Sequence, residues 1–232
     1  MRAFDKASGA VRVLTTDALG ETTSAPMLTE DHVFWVFDNV RASGGRLAML
    51  MSLRRNGLGT PKVVVPRTDV ATRNVLFDAG DVYISSSGDY GVFRVRPASR
   101  TFVALYETLE REGGIHSLAT TRDRVFWTLA HEEWSAGVTT RQLSLVAAPK
   151  SGSARPITMI RHVTAGGWPA LVGADDQLYA CTQSEVLRLV ESPPPARFER
   201  VLDAPNLDAC GILADGIVWQ VGDSVFGVAR GR

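Results

Sequence analysis

Short apolar and alternating runs divide the chain into segments of strand length. Residues 92–96 and 186–190 alternate between apolar and polar side chains, as expected of a strand with one face in water. Convincing helical periodicity over two or more turns is absent from the sequence. Residues 103–112 have helical propensity, but their position in the pattern predicts an outer strand. The sequence therefore predicts an all-β protein.

A five-residue motif recurs along the chain and organises these strands. It is clearest as Asp-x-Val-Phe-Trp at residues 31–35 and 123–127, with weaker copies at 80–84, 176–180 and 215–219. The copies begin roughly 40 to 53 residues apart, which is the spacing of β-propeller blades and too long for most helical repeats. Each copy starts with a turn residue and continues into β-branched or aromatic residues, which predicts a tight turn entering a strand.

The rest of each repeat supplies three further strands. An innermost strand precedes the motif, a Gly-rich polar loop follows it, and a third and an outer strand complete the unit. Four-stranded meanders repeated radially form a β-propeller. The predicted innermost strands are residues 25–28, 75–77, 117–119, 170–172 and 211–213; the third strands are 46–50, 92–96, 142–146 and 186–190; the outer strands are 62–65, 102–105, 156–159 and 198–202.

The two ends of the chain resemble complementary parts of one repeat. Residues 2–14 match the tail of a unit, and residues 224–230 match a third strand. The sequence thus predicts one domain of five blades, closed by pairing of the N- and C-terminal strands. The alternative is a fragment of a six- or seven-bladed propeller, because a cut repeat array also begins and ends within a blade. The predicted units are residues 18–68, 69–110, 111–163, 164–205, and 206–232 completed by 1–17.

The motif copies, together with the Val-x-Arg-Val strand at residues 92–95, resemble the degenerate YWTD-like propeller repeats of bacterial proteins, including many from myxobacteria. Residues 123–128 come closest to the repeat, and residues 148–152 resemble its Pro-containing hairpin. The resemblance implies a scaffold and does not name a ligand. Members of that group are usually exported, often as lipoproteins, and this sequence departs from them in lacking an export signal.

Composition and charge narrow the function classes. With 45% hydrophobic and 22% charged residues the chain is globular, and 25 basic residues balance 25 acidic ones. No basic excess favours a nucleic-acid partner. No stretch approaches the ~18 apolar residues of a membrane helix. The sequence as written predicts a cytoplasmic protein, and a periplasmic or extracellular one if residues are missing before Met1.

The two cysteines and the motif tryptophans have structural interpretations. Cys181 and Cys210 fall in successive repeats, so one disulfide between neighbouring blades is possible. The usual behaviour of free cysteine favours two small buried apolar residues instead. Trp35, Trp127 and Trp219 are predicted to fill the space between adjacent blades, where burial stabilises by roughly 2 to 3 kcal/mol each.

Local signatures of catalysis and metal binding are missing from the sequence. It contains no nucleophile elbow, Walker loop, CxxC pair or EF-hand loop, and its four histidines lack the spacing of a local metal pair. His116 lies just ahead of an innermost strand, where the mouth of a central channel is expected, although a solvated or hydrogen-bonded loop histidine is the simpler interpretation. We predict no catalytic residue, no metal site and no cofactor.

The densest cluster of recognition residues lies at residues 131–134, within a predicted long loop at residues 131–140. Function concentrates on loops that a rigid scaffold holds in place. The corresponding loops at residues 38–45 and 85–91 are predicted to reach the same face. The candidate ligand-binding residues are Asp38, Arg41, Asp89, Tyr90, His131, Glu132, Glu133 and Trp134.

Two functions follow from this arrangement. The first is a non-catalytic propeller that binds a protein, peptide or glycan through these loops. The second is a hydrolase or lyase with acidic residues and His116 or His131 at the channel mouth. The predicted innermost strands offer mostly Ala, Ser, Leu and Val, which favours binding over catalysis. A closed ring predicts a monomer, and an incomplete ring predicts a dimer.

Overall fold

The computed structural model describes fifteen segments of the chain, and every regular element in them is a β-strand. The chain forms two compact units, Met1–Asp89 with Arg94–Phe102, and Tyr90–Phe93 with Val103–Arg232. The all-β prediction is confirmed. The described residues are 2–4, 11–13, 21–22, 27–28, 31–40, 46–55, 62–65, 72–86, 91–97, 99, 101–107, 114–135, 138–161, 169–213 and 216–229.

The first strands form a two-stranded sheet and a larger sheet built around the first motif. β1 and β2 pair with each other, whereas β3 and β4 both pair with β5 in the sheet named sheet 1 here. The innermost strand predicted at residues 25–28 is therefore represented by β4, with β3 farther along β5. The strands are β1 (Arg2–Phe4), β2 (Val11–Val13), β3 (Glu21–Thr22), β4 (Met27–Leu28), β5 (His32–Val40), β6 (Arg46–Arg54) and β7 (Lys62–Val65).

Three four-stranded antiparallel sheets follow, each built from consecutive strands. The predicted innermost, third and outer strands of these repeats are confirmed, and the segment with helical propensity is a strand as far as Glu107. Sheet 2 contains β8 (Thr72–Asp78), β9 (Asp81–Ser86), β10 (Gly91–Arg96) and β11 (Thr101–Glu107); sheet 3 contains β12 (Ile115–Thr120), β13 (Arg124–Ser135), β14 (Val138–Pro149) and β15 (Ile157–Ile160); sheet 4 contains β16 (Ala170–Ala174), β17 (Gln177–Cys181), β18 (Glu185–Val190) and β19 (Arg197–Asp203).

The last sheet, named the terminal sheet here, has three strands in the described part of the chain. These are β20 (Ala209–Ile212), β21 (Gly216–Val221) and β22 (Ser224–Ala229), with β22 at the edge. Among the described strand pairs, β22 pairs with β21 and β1 pairs with β2. Closure of a five-bladed ring by pairing of the terminal strands stays a prediction.

The two aromatic residues of the motif pack against opposite neighbours. Phe126 joins a buried cluster with Leu171 and Leu178 of sheet 4. Trp127 is fully buried, and its ring centroid lies 5.4 Å from that of Tyr106 in sheet 2. Because successive residues of a strand point to opposite faces, a Phe-Trp pair fills the space on both sides of its own sheet. The sequence pattern thus produces the stacking of sheets directly.

The first motif follows the same rule within the first unit. Phe34 packs with Val82 and Ile84 of sheet 2, whereas Trp35 lies in a separate cluster with Leu53 on the other face of sheet 1. Trp35 and Trp127 are buried, which confirms their predicted structural role. The corresponding Trp219 of the terminal sheet is half-buried and stacks on Phe226 with centroids 5.7 Å apart.

Two innermost strands, β8 and β12, each have a register shift near their first residues, and a buried hydroxyl of the next strand accepts a backbone hydrogen bond there. The register of β12 shifts between Ile115 and Ser117, which makes His116 the bulged residue. The Ser117 N–H then donates to the Thr128 hydroxyl at 3.1 Å. In sheet 2 the Asn74 N–H donates to the Ser85 hydroxyl at 3.2 Å beside an equivalent shift. Each hydroxyl satisfies a backbone donor that the bulge removes from the ladder.

The innermost strands of sheets 3 and 4 approach each other through their backbones. The Leu171 N–H donates to the Ser117 hydroxyl at 2.7 Å, and the Arg122 N–H donates to the Asp175 carbonyl at 2.9 Å. Between them, a Cβ placed on Gly173 would lie 2.6 Å from the Thr120 carbonyl carbon. Glycine is required there because any side chain would separate the two strands.

Cys181 and Cys210 form a disulfide, so the favoured interpretation of two unpaired buried cysteines is wrong. Cys181 ends β17 in sheet 4, Cys210 lies in β20 of the terminal sheet, and their Cα atoms are 6.3 Å apart. This separation is within the range that a disulfide spans without backbone movement. Burial does not distinguish a disulfide from unpaired buried cysteines. Cys181 is only 3% exposed and packs against apolar neighbours, as an unpaired cysteine would.

Candidate functional site

The longest hairpin of the described chain projects from sheet 3. β13 and β14 pair continuously from Arg124 opposite Pro149 to Ser135 opposite Val138. Their neighbours stop earlier, because β12 pairs with β13 only as far as Leu129 and β15 pairs with β14 only from Leu145. Among the described residues, the hairpin beyond these points is paired only with itself. We call the paired positions 131–135 and 138–142 the sheet 3 tip.

The prediction of a long loop at residues 131–140 is wrong, because most of those residues continue the two strands. The sequence explains why the strands extend. Val138, Thr139 and Thr140 are β-branched, and only Ala136 and Gly137 separate the paired ends. No apolar alternation marks these residues in the sequence, so their polar composition resembles a loop.

The backbone register divides the predicted recognition cluster into two pairs. His131 is opposite Gln142 and Glu133 is opposite Thr140, whereas Glu132 is opposite Arg141 and Trp134 is opposite Thr139. Successive positions of a strand lie on opposite faces. Positions 132 and 134 therefore share one face of the tip and positions 131 and 133 share the other. The backbone positions of the adjacent residues 132 and 133 therefore lie on different faces of the tip.

Sequence reasoning missed the residues across the hairpin from this cluster. Arg141 and Thr139 occupy the face that contains positions 132 and 134, and neither was a candidate. Their signal was the β-branched run at residues 138–140, which indicates a strand. The face therefore combines an acidic, a basic and an aromatic position.

The other predicted loop residues lie on different elements or outside the described residues. Asp38 is part of β5, opposite Ala48 on β6 and Glu21 on β3, so the prediction that a loop begins at residue 38 is wrong. Arg41, Asp89 and Tyr90 lie outside the described residues. Asp38 belongs to the first unit and the sheet 3 tip to the second.

His116 lies at the end of sheet 3 from which the tip projects. It is half-buried and occupies the bulge of β12, next to the point where the Ala130 N–H donates to the Gly114 carbonyl at 3.0 Å. Bulges redirect a side chain relative to its strand and are common near functional sites. Its location at a channel mouth stays a prediction.

A charged cluster in sheet 2 is centred on Asp81, which pairs with Arg94 and Arg96. Arg96 donates two hydrogen bonds to the Asp81 carboxylate, at 2.9 and 3.2 Å, and this hydrogen bonding raises the pKa of Arg96. Burial, followed by the charges of Asp81 and Asp78, raises the pKa of Tyr83 to about 12. The Tyr83 hydroxyl therefore stays protonated at neutral pH and does not serve as a base there.

Within the described segments, no group of three His, Cys, Asp or Glu residues is arranged to hold a metal ion. The same segments contain no helix long and apolar enough to cross a membrane.

No sequence family and no curated protein matches the chain, but solved structures do. A nidogen/laminin complex superposes with a TM-score of 0.58 at 11% identity, over 87% of this chain and 72% of that one. A puromycin-hydrolyzing peptidase of Mycobacterium tuberculosis gives 0.61 at 15% identity, over 92% of this chain and 39% of that one. TolB from Acinetobacter baumannii gives 0.56 at 10% identity, over 86% and 50%.

These neighbours are β-propeller proteins. The fold is a β-propeller. For the peptidase, the chain spans about two-fifths of the length of the protein it matches, so the likeness concerns only a part of that enzyme.

Proposed function

We propose that this chain is a propeller binding module that recognises an extended segment of a protein partner with the sheet 3 tip. The single observation that carries the proposal is the projection of β13 and β14 beyond β12 and β15. In the described chain, both outer edges of that tip present backbone N–H and C=O groups without a neighbouring strand. An extended peptide pairs with such an edge by adding a strand, which gives affinity through main-chain hydrogen bonds.

The residue types of the tip support a peptide over the other predicted ligands. One face carries Glu132, Trp134 and Arg141, and tryptophan and arginine are the residues most enriched in binding hot spots. An acidic and a basic position on one face favour a partner segment that carries both charge signs. Main-chain pairing along an edge is available to a peptide and not to a glycan.

The structural neighbours are compatible with a binding role. One of them is a protein in a complex, nidogen with laminin, and others are peptidases that this chain matches over less than half of their length. No described cluster favours the hydrolase or lyase alternative, because the charged residues of sheet 2 neutralise one another and Tyr83 stays protonated. The proposal therefore concerns recognition.

A shortened hairpin tests the proposal. Residues 131–142 are replaced by Asn-Gly, which closes Ala130 to Leu143 with a two-residue type I′ turn and leaves the rest of sheet 3 unchanged. A phage-displayed library of random dodecapeptides is selected on the wild-type chain, and the selected peptides are measured by fluorescence polarisation. We expect the shortened chain to lose at least about tenfold in affinity, or about 1.4 kcal/mol.

A matched control changes the sheet 4 outer strand instead. Glu199→Ala removes a charge of the exposed pair with Arg197 and leaves the tip intact, so its affinity for the selected peptides is expected to equal that of the wild type. Selection of no peptide by the wild-type chain would contradict the proposed function. Selection of peptides that bind the shortened chain equally well would contradict the assignment to the tip.

A further inference from the structure

The Cys181–Cys210 disulfide is a covalent link between sheet 4 and the terminal sheet, and the described residues of the two sheets also share one apolar cluster. The two cysteines are 29 residues apart in sequence. In that cluster, Ile217 is the only fully buried side chain that comes from a strand of the terminal sheet, and Ile212 and Trp219 are half-buried. Most of the fully buried residues of this cluster therefore come from sheet 4 and the segment that follows it.

The edge strand of the terminal sheet is exposed to solvent. All six residues of β22 are exposed, including Val225 at 73% and Phe226 at 46%. The described residues provide no fourth strand beside β22. Stability is lowest where buried apolar contacts are few, so local opening is expected here first.

The boundary of the terminal sheet falls between Leu207 and Asp208. The Leu207 N–H donates to the Gln183 carbonyl at 2.9 Å, which holds the connecting segment on sheet 4. The Asp208 N–H donates to the Gln220 carbonyl at 2.9 Å, and the Asp208 carboxylate accepts the Gly222 N–H at 2.6 Å. Leu207 therefore belongs to sheet 4 by its bonds, and Asp208 belongs to the terminal sheet.

We infer that the disulfide controls the docking of the terminal sheet. When the bond is reduced, β20, β21 and β22 separate from sheet 4 as one unit by movement at the Leu207–Asp208 boundary. The separation uncovers the apolar surface that contains Tyr179, Val186 and Leu202. A dithiol reductant supplies two electrons and two protons, which convert the disulfide to two thiols, and is itself oxidised to a cyclic disulfide.

Sheets 3 and 4 stay together in the reduced protein, because their described contacts include no disulfide that reduction could break. It contains the Leu171–Ser117 and Arg122–Asp175 hydrogen bonds and a buried cluster of nine residues centred on Phe126 and Leu178. The Arg124 guanidinium also donates to both carboxylate oxygens of Glu191, at 2.8 and 3.0 Å. The inference concerns the terminal sheet alone and does not depend on the proposed peptide binding by the sheet 3 tip.

Hydrogen exchange followed by mass spectrometry tests the inference on the full chain. The protein is compared in its oxidised form and after reduction by dithiothreitol, at the same pH and temperature. Reduction is expected to accelerate exchange in β20–β22 by at least about tenfold and to leave β12–β18 within about twofold. Re-oxidation restores the slow exchange.

A variant without cysteines provides the control. The Cys181→Ala/Cys210→Ala chain is expected to exchange like the reduced wild type and to show no response to dithiothreitol. Unchanged exchange of β20–β22 after reduction would overturn the inference. Equal acceleration over β12–β22 would also overturn it, because the disulfide would then stabilise both sheets as one unit.

Discussion

Sheet 4 is joined to its two sequence neighbours in different ways. Its junction with sheet 3 combines backbone approach at Gly173, hydrogen bonds, a bidentate ion pair and a large buried cluster. Its junction with the terminal sheet combines a smaller cluster with the disulfide between Cys181 and Cys210. A repeat protein is stabilised by the interfaces between its units, so a weak interface at one end lowers stability there without lowering it elsewhere.

The motif alone does not determine how well a blade packs against its neighbours. Trp127 and Trp219 occupy equivalent motif positions, yet Trp127 is completely buried and Trp219 is half-buried. Trp127 contacts the Tyr106 ring of sheet 2. Trp219 packs at the border of the cluster with sheet 4 and stacks on Phe226 of the exposed edge strand β22.

The largest effect is expected from Gly173→Ala. The new methyl group would overlap the Thr120 carbonyl, and the two innermost strands would have to separate, which should cost about 3 kcal/mol or more. Gly227→Ala in the terminal sheet is the matched control, because its nearest atoms are ordinary contacts at 3.6 and 3.7 Å. Urea unfolding measures both variants. Equal stabilities would contradict the backbone approach of sheets 3 and 4.

The two motif tryptophans are expected to differ when truncated. Trp127→Ala should lower the free energy of unfolding by about 3 to 5 kcal/mol, and Trp219→Ala by about 1 to 2 kcal/mol. Trp127→Phe should cost less than about 1.5 kcal/mol, because no acceptor in the described residues reaches the buried indole Nε1. Thermal and urea unfolding provide the test. A Trp219→Ala cost equal to that of Trp127→Ala would remove the contrast between the two sheets.

A smaller effect is expected from the ion pair between sheets 3 and 4. Arg124→Met should cost about 0.5 to 1 kcal/mol, since the pair is bidentate but its side chains are 37% and 41% exposed. Part of this loss should disappear in 1 M salt, because the Debye length is then ~3 Å instead of the ~8 Å at physiological ionic strength. Arg200→Met, which removes a more exposed pair with Asp203, serves as the control. A double-mutant cycle with Glu191→Gln isolates the pair.

The smallest effect on stability is expected at the open edge of the terminal sheet. Val225→Lys should change the free energy of unfolding by less than about 0.5 kcal/mol, because Val225 is 73% exposed. A lysine on an edge strand opposes pairing with other chains, so light scattering on heating should decrease. Val125→Lys, at a position with no exposure, should prevent folding. Increased scattering of the Val225 variant would contradict this description of the edge.

Much of the fold followed from the sequence because its signals are local. The corner turns and the Phe-Trp pairs identified the second strands, and the apolar runs after them identified the others. At the Asp78–Asp81 corner, Ala79 and Gly80 both have positive φ values, 49° and 86°, as a two-residue hairpin turn requires. Such turns depend only on a few adjacent residues.

The rest depended on contacts that sequence does not encode locally. The pairing of Cys181 with Cys210 depends on the spacing of two sheets, and the shift at His116 depends on a hydroxyl from Thr128 on the next strand. The sheet 3 tip was predicted as a loop because its sequence lacks apolar alternation, whereas its strand pairing depends on the register of the whole hairpin.

The continuous pairing of the sheet 3 tip has a consequence for how this protein varies between relatives. Residues can be inserted or deleted there in equal numbers on both strands without disturbing sheet 3, because each added cross-strand pair extends the ladder at its free end. A single-residue insertion on one strand would instead exchange the two faces beyond it. Length changes that keep each residue on its face are therefore expected in multiples of four residues, two per strand, at residues 131–142.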